Sequence, residues 1–237
     1  VASFFVFSSK RYCDVAPSMN TINWALTKKI IGLGAQFFII MVCMLFIFQV
    51  INIIIVRVCG PENVTAYNIA YKYFNILNMA MMIIVTPFWS ACADAYTKKD
   101  FLWMKNVIEK MEMIWKLSIC VLIIMILVSS TFYDIWVGDS VKISLSLSVM
   151  VGVYILVQNL CGIYIYMING TSKIRLQLVV YLVSAFISVP TMYFLCSKYG
   201  ITVMLLVPIS VCLIQAFVAK KQLTKIIRGT ASGIWIK

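Results

Sequence analysis

The chain has 237 residues, of which 63% are hydrophobic and 12% are charged. Soluble proteins have about 45–50% apolar and about 25% charged residues, so this composition excludes an ordinary soluble domain and indicates an integral membrane protein. The net charge of +12 does not indicate nucleic-acid binding, because the basic residues stand between apolar runs and not along one face.

The eight cysteines occur singly, mostly within apolar runs, and the chain has no histidine. No two cysteines have the short spacing of a metal site. We therefore interpret the cysteines as small hydrophobic residues, and we predict no metal, no cofactor and no catalytic residue.

The chain begins with a short apolar stretch, residues 1–8, followed by a polar segment, residues 9–31. The apolar stretch is too short to cross a bilayer, which takes about 20 apolar residues in a helix. We therefore expect residues 1–31 to be the end of a preceding helix and a cytoplasmic linker. On this interpretation the chain is the C-terminal half of a longer protein.

Six apolar runs follow, and each is long enough to span a membrane as a helix. They predict an all-α fold class, a polytopic transmembrane helix bundle of six complete spans in residues 32–219. A basic cytoplasmic tail follows in residues 220–237. The runs cover about residues 33–58, 65–90, 117–133, 143–168, 176–196 and 201–219.

Two features bear on the shape of these helices. Pro87 removes a backbone donor and clashes with the preceding turn, so we expect a kink near the end of the second run. Residues 94–116 carry aromatic and aliphatic residues at a helical repeat. They predict an amphipathic helix in the membrane interface that leads into the third run, with an ordinary connecting helix as the alternative. Within this segment, Glu112 and Lys116 have the spacing of an intrahelical ion pair.

The second run carries a polar stripe. At about 100° per residue, its polar side chains fall within one arc of about 120°. A lysine at the centre of a membrane helix costs about 2.5–3.5 kcal/mol on insertion scales. We therefore predict that the stripe lines a cavity for an anionic or strongly polar cargo. The alternative is that the lysine snorkels to the interface and that the asparagines bond neighbouring helices. The stripe consists of Asn68, Tyr71, Lys72, Asn75 and Asn78.

The first run carries polar residues of its own. Gln49 and Asn52 are three residues apart and so share a helix face. Together with Arg57, they are candidates to bind the same cargo. For Arg57 the alternative is an arginine at the outer interface.

Basic residues are divided unevenly between the loops. Sixteen of the twenty Lys and Arg fall in four alternate segments, and three fall in the turns between them. Because basic loops stay in the cytoplasm, we expect the four segments and the C-terminus to be cytoplasmic. These segments are residues 9–31, 94–116, 169–175 and 220–237.

Several motifs along the chain carry a family resemblance. They are Gly34-Ala-Gln-Phe-Phe38, Gly60-Pro-Glu-Asn-Val64, Tyr67-Asn-Ile-Ala-Tyr-Lys72, Pro87-Phe-Trp-Ser90, Asp94-Ala-Tyr96, Asp100-Phe-Leu-Trp103, Ile135-Trp-Val-Gly138, Ile168-Asn-Gly170 with Lys173 and Gln177, and Gly233-Ile-Trp-Ile-Lys237. On these motifs the chain, from about Asp14 to its end, resembles the bacterial oligosaccharide flippases, the translocases of O-antigen or capsule. Their superfamily also contains the multidrug and toxin extrusion (MATE) transporters.

The resemblance implies a MATE-like transporter of two six-helix lobes in a bacterial inner membrane, with this chain as the second lobe. It implies a cargo of polyprenyl-diphosphate-linked oligosaccharide, carried from the inner to the outer leaflet by alternating access for surface polysaccharide biosynthesis. The expected partners are this lipid-linked oligosaccharide, membrane lipids and the N-terminal lobe. A diphosphate in a membrane cavity needs a cation, which Lys72 provides, and amide donors, which Asn68, Asn75 and Asn78 provide.

Three other functions remain open. A multidrug extruder of the same superfamily would need buried carboxylates for its cationic cargo, and the predicted spans contain none. A membrane enzyme acting on lipid-linked sugars would need a carboxylate or histidine pair in a sizeable loop, so we predict that the protein is not an enzyme. A structural helix bundle would leave the polar stripe unexplained.

Overall fold

The computed structural model describes residues 23–138 and 141–236. The chain divides into two units, Val1–Gln36 and Phe37–Lys237, and the helix packing lies within the second. The helices of the described residues are α1 (Trp24–Cys59), α2 (Pro61–Val85), α3 (Pro87–Thr97), α4 (Phe101–Val137), α5 (Leu145–Thr171), α6 (Arg175–Tyr199), α7 (Ile201–Met204) and α8 (Leu206–Ile227), with a short 3-10 helix at Gly233–Trp235.

Six helical segments are long and apolar enough to cross a membrane: α1, α2 with α3, α4, α5, α6, and α7 with α8. Between residues 23 and 236, in the parts that the structure describes, there is no strand. The predicted fold class, an all-α bundle of six spans, is therefore confirmed. The terminal helices extend beyond the predicted limits of 32 and 219, since α1 begins at Trp24 and α8 ends at Ile227.

α5 is the central helix of the bundle. It packs against α2, α3, α4 and α8. More than half of its apolar stretch is buried, against less than a fifth for α4 and α6. Small residues let membrane helices approach closely. At Gly170, an added Cβ would lie 2.9 Å from the Cβ of Cys92 and 2.9 Å from the backbone oxygen of Trp89, both on α3. Glycine is therefore needed for α3 to lie on α5 at this point.

Prolines accompany both helix breaks within spans. α2 ends at Val85 and α3 begins at Pro87, the position where the sequence predicts a kink. Thr86 joins the two helices, because its backbone N–H and its Oγ1 both donate to the carbonyl of Met82. In the last span, α7 ends at Met204, four residues before Pro208, where the proline ring clashes with the preceding turn.

α4 agrees with the sequence prediction in part. The sequence predicts an amphipathic helix over residues 94–116 that runs into the third span, with an ordinary connecting helix as the alternative. The structure has one continuous helix, Phe101–Val137, so residues 101–116 do run into the span, whereas residues 94–97 belong to α3. Its start is fixed by Asp100, whose Oδ1 accepts the backbone N–H of Trp103 at 3.0 Å. Continuity keeps the backbone hydrogen bonds that a break would leave unpaired.

The helix ends gather at the two ends of the bundle. At one end, the side-chain Nε2 of Gln222 on α8 donates to the backbone oxygens of Lys173 and Trp235, at 2.9 and 3.0 Å. This end holds the α5–α6 turn and the basic C-terminal segment, and we name it the basic end. At the other, Cys59 and Gly200 line one small cavity, so the α1–α2 and α6–α7 turns meet there. We name it the opposite end.

Candidate functional site

α2 has two unlike faces. Its buried face, which includes Tyr67, Phe74 and Met81, packs chiefly on α5. The centre of the polar stripe lies roughly 130° around the helix from the centre of this buried face, at 100° per residue. The amide and tyrosine side chains of the stripe are half-buried, and Lys72 is exposed. The stripe therefore faces away from α5 and from the interior of the bundle.

Lys72 stands among apolar side chains on the exposed face of α2. Ile76, Met79 and Ile83, which follow it along this face, are 58%, 59% and 75% exposed. None of the ion pairs found in the described parts of the chain includes Lys72. An ammonium group in a spanning helix is costly unless it meets an anion or water. Lys72 therefore lies on the outer surface of the bundle, with no carboxylate partner among the described residues.

Asn75 and Asn78 are bonded to each other. The Nδ2 of Asn78 donates to the Oδ1 of Asn75 at 3.1 Å. A carboxamide has two N–H donors and an oxygen with two lone pairs, so one shared bond leaves most of the capacity of the pair. Because Asn75 lies three residues after Lys72, a cation and amide donors adjoin on one side of α2.

Tyr71 belongs to an aromatic group that joins three helices, which we name the tyrosine cluster: Phe48 on α1, Tyr67 and Tyr71 on α2, and Tyr154 on α5. The ring centroid of Tyr154 lies 6.3 Å from those of Phe48 and Tyr71, and the centroids of Tyr67 and Tyr71 are 6.0 Å apart. Tyr154 is 1% exposed and Tyr67 is 4% exposed, whereas Tyr71 is half-buried. Tyr71 is therefore the outer edge of the cluster and holds the stripe against the core.

Of this cluster, the sequence singles out only Tyr71. The four-residue spacing of Tyr67 and Tyr71 is a usable signal, because residues four apart are neighbours on a helix. Tyr154 and Phe48 have no such signal, since they reach the cluster from other helices.

The polar residues of α1 are separated around that helix. Asn52 lies one turn after Phe48, on the side of α1 that meets the tyrosine cluster. Its Oδ1 is buried and has no hydrogen-bond partner among the residues described. Gln49 is exposed, and Arg57 lines a groove with Pro190 of α6. The structure therefore places Asn52 on the side of α1 where Phe48 meets Tyr154 of α5, whereas it places Arg57 beside α6.

A second polar group, at the basic end, joins α4, α5 and α8. The Oε1 of Glu112 accepts the hydroxyl of Tyr164 at 2.7 Å and the Nζ of Lys220 at 3.0 Å. The same Nζ lies 5.5 Å from the centroid of the Tyr164 ring. The sequence predicts that Glu112 pairs with Lys116, and this prediction is wrong: no ion pair found among the described residues includes Lys116. Glu112 turns into the crevice between helices, where lower polarity strengthens its interaction with Lys220.

Unpaired amides lie inside the bundle. Asn159 on α5 is fully buried, and neither its nitrogen nor its oxygen has a partner in the described part of the chain. The same holds for the side-chain oxygens of Gln215 on α8 and Gln177 on α6. A buried polar group without a hydrogen bond costs about 1–3 kcal/mol. The sequence does contain a signal for these buried amides, the polar pair Gln158-Asn159. The pair is easily overlooked because the residues around it are apolar.

A known family matches the helices that carry these groups. The MatE family profile covers residues 37–194, from α1 to α6. The chain belongs to the MatE family. MatE proteins are transporters of the MOP superfamily, so this protein is a multi-pass membrane transporter and not an enzyme. No curated protein and no solved structure matches the chain significantly.

The MatE match confirms the superfamily that the sequence motifs indicate. Both oligosaccharide flippases and multidrug extruders belong to this superfamily, and the match does not distinguish them. The resemblance to flippases and the roles of the stripe residues therefore stay predictions.

Proposed function

We propose that this MatE protein is a flippase for a polyprenyl-diphosphate-linked oligosaccharide, which it moves from the inner to the outer leaflet of a bacterial cytoplasmic membrane. The observation that carries the proposal is the outward face of α2. There Lys72 has no carboxylate partner among the described residues, and it adjoins the bonded amides of Asn75 and Asn78. The charge of a diphosphate complements the ammonium group, and sugar hydroxyls complement the carboxamides.

Binding follows from the cost of burying charge. An ammonium group at the centre of a spanning helix costs about 2.5–3.5 kcal/mol, and a phosphate oxygen in contact with Lys72 offsets that cost. Asn75 and Asn78 donate to the remaining phosphate oxygens or to the first sugar. Tyr71, held by Tyr67 and Tyr154, offers the edge of a fixed ring and a hydroxyl group beside them.

Transport needs a wall opposite α2. The stripe faces away from α5, so it is open to a second six-helix lobe, which we propose that the full protein has. Two lobes that rock about this site expose it to each leaflet in turn, while the lipid tail stays in the bilayer between them. The break at Pro87 gives the α2–α3 segment a joint close to the stripe. The basic end is then the cytoplasmic end, in agreement with its excess of Lys and Arg.

The charge of the outward face favours an anionic cargo over an organic cation. The stripe carries one lysine and no carboxylate. Glu112, which lies within a spanning helix, is bonded to Lys220 and Tyr164. An organic cation on this face would meet the like charge of Lys72 without a compensating anion.

The proposal is tested by surface polysaccharide export in the source strain, with the chromosomal copy deleted and full-length variants supplied. We expect Lys72→Ala and Lys72→Gln to lower export about tenfold or more, which corresponds to the loss of about 1.4 kcal/mol of binding. Lys72→Arg keeps the charge and should retain part of the export. Lys142→Gln removes an exposed charge at the opposite end and serves as the matched control, which should export normally. Membrane abundance is measured for each variant.

Two results would contradict the proposal. Normal export by all three Lys72 variants at equal abundance would remove Lys72 from the site. If deletion of the gene leaves surface polysaccharide intact and abolishes efflux of a cationic dye, the protein is a multidrug extruder.

A further inference from the structure

Two cysteines from distant parts of the chain meet at the opposite end. The Sγ atoms of Cys59, the last residue of α1, and Cys196, in the last turn of α6, are 3.5 Å apart. The two residues are 137 positions apart in the sequence. No local spacing therefore reveals the pair, and the sequence indicates only separate apolar cysteines.

Glycine turns hold both thiols in place. Gly60 follows Cys59 with a φ of 90°, a conformation that favours glycine, and it ends α1 at that residue. Gly200, with a φ of 81°, ends α6 and donates its backbone N–H to the carbonyl of Cys196 at 3.0 Å. Each sulfur therefore sits on a helix end whose position is fixed by a backbone turn.

The pair is reachable from one side. Cys196 is buried and Cys59 is half-buried. Cys59 lines a cavity of about 280 Å³ together with Asn63, Gly200 and Thr202, at the surface where the α1–α2 and α6–α7 turns meet. A reagent or an oxidising disulfide that reaches this cavity meets the sulfur of Cys59 before that of Cys196.

The environment of this end suits oxidation. Of the basic residues, only Arg57, Lys142 and Lys198 belong to the turns at the opposite end, so the positive-inside rule places this end outside the cytoplasm. Disulfides form and persist in the oxidising space outside the bacterial cytoplasmic membrane. The two sulfurs are 3.5 Å apart and a disulfide has an S–S length of about 2.05 Å, so they need to close by roughly 1.5 Å to form the bond.

We propose that Cys59 and Cys196 are a disulfide site, oxidised by an extracytoplasmic thiol–disulfide oxidoreductase. The Cys59 thiolate attacks the oxidoreductase disulfide, which forms a mixed disulfide and releases one oxidoreductase thiolate. The Cys196 thiolate then attacks the Cys59 sulfur, forms the Cys59–Cys196 bond and releases the second thiolate. The chain loses two electrons and two protons, and the oxidoreductase gains both as two thiols.

The bond would tie α1 to α6 across the bundle at the point where α1 turns into α2. It therefore constrains the end of the helix that carries Lys72 without touching the polar stripe. The inference goes beyond the proposed cargo and holds for either class of transporter.

The test is a count of oxidised cysteines in the full-length protein. Cells are quenched with acid, free thiols are blocked with N-ethylmaleimide, and the protein is denatured in SDS. A maleimide polymer is then added with or without prior reduction. We expect reduction to add two polymer adducts to the wild type. We expect the same for Cys120→Ser, the matched control, which lacks one cysteine as the test variants do but keeps Cys59 and Cys196. We expect no added adducts for Cys59→Ser or Cys196→Ser.

Mass spectrometry of the unreduced wild type keeps the test decisive if a serine variant fails to accumulate. The expected result is one cross-linked species that joins the Cys59 and Cys196 peptides and lacks two hydrogens. Complete blocking of both thiols before reduction overturns the proposal, and so does a disulfide between either cysteine and a different partner.

Discussion

The two faces of α2 differ in how far their side chains find partners within the bundle. On the face toward α5, Phe74 is 0% exposed and Tyr67 is locked into the tyrosine cluster. On the other face, Lys72 has no ion pair in the described chain, and Asn75 and Asn78 share one bond out of the several that they can form. One face is packed within the bundle, whereas the other keeps a lysine without an ion pair and two amides with unused hydrogen-bond capacity in the described chain.

Under the proposed function, this difference separates stability from transport within one helix. On the face toward α5, the volume of each side chain determines which substitutions are tolerated, because close-packed interiors allow little change of volume. On the outward face, we expect substitutions to act through the loss of charge and hydrogen-bond capacity and to leave the packing of the helix intact. Substitutions on the two faces should therefore have effects on different measurements.

The largest expected effect is on the packed face. Phe74→Ala should lower the free energy of unfolding by about 3–5 kcal/mol, because it empties a fully buried site. Met79→Ala, at an exposed position of the same helix, should change it by less than about 0.5 kcal/mol. The measurements are the melting temperature of the full-length protein in detergent and its abundance in the membrane. Equal shifts for the two variants would show that α2 is not divided as described.

A smaller effect is expected where α3 continues the contact with α5. Gly170→Ala should cost about 1–3 kcal/mol, since the new methyl group meets the backbone oxygen of Trp89 and the Cβ of Cys92, neither of which can rotate away. Gly152→Ala is the matched control on the same helix. Its new methyl group would lie 2.8 Å from the Cδ1 of Leu122, the end of a flexible side chain. If Gly152→Ala lowers the melting temperature as much as Gly170→Ala, close backbone approach is not the reason for glycine at 170.

The smallest effect on stability is expected on the outward face. A double-mutant cycle with Asn75→Ala and Asn78→Ala should give a coupling free energy of about 0.2–0.5 kcal/mol, the range for side-chain pairs three residues apart on one helix. Export should fall in both single variants at unchanged abundance, because each removes a donor to the cargo. A coupling above about 2 kcal/mol with normal export would assign the pair to stability alone.

Much of the fold is predictable from hydropathy. Runs of about 20 apolar residues have few alternatives to a spanning helix, so the number of spans and the all-α class follow from the sequence. Pro87 likewise predicts the break between α2 and α3, because a missing donor and a ring clash are local effects. The start of α4 at Phe101 is less predictable, since the sequence assigns residues 94–97 to the same amphipathic helix and the structure assigns them to α3.

The candidate site likewise has features that the sequence predicts and features that depend on helix packing. The stripe around Lys72 follows from helical spacing alone, and so does its neighbour Tyr71. The contact of Tyr154 with Tyr71 and the pairing of Glu112 with Lys220 depend on how helices pack, which local spacing does not contain. The direction of the stripe, away from α5, is likewise known only once the packing is known.

The central position of α5 has a consequence for how the protein enters the membrane. The most apolar stretch of α5 has a mean hydropathy of 1.7, which equals that of α2 with α3 and is the lowest value among the six spanning segments of the described chain. A nascent helix leaves the translocon for lipid according to its apolarity, and the amides of Gln158 and Asn159 count against such a transfer. We expect α5 to insert poorly as an isolated segment and efficiently beside α2 and α4, which are synthesised before it and offer protein surface in place of lipid.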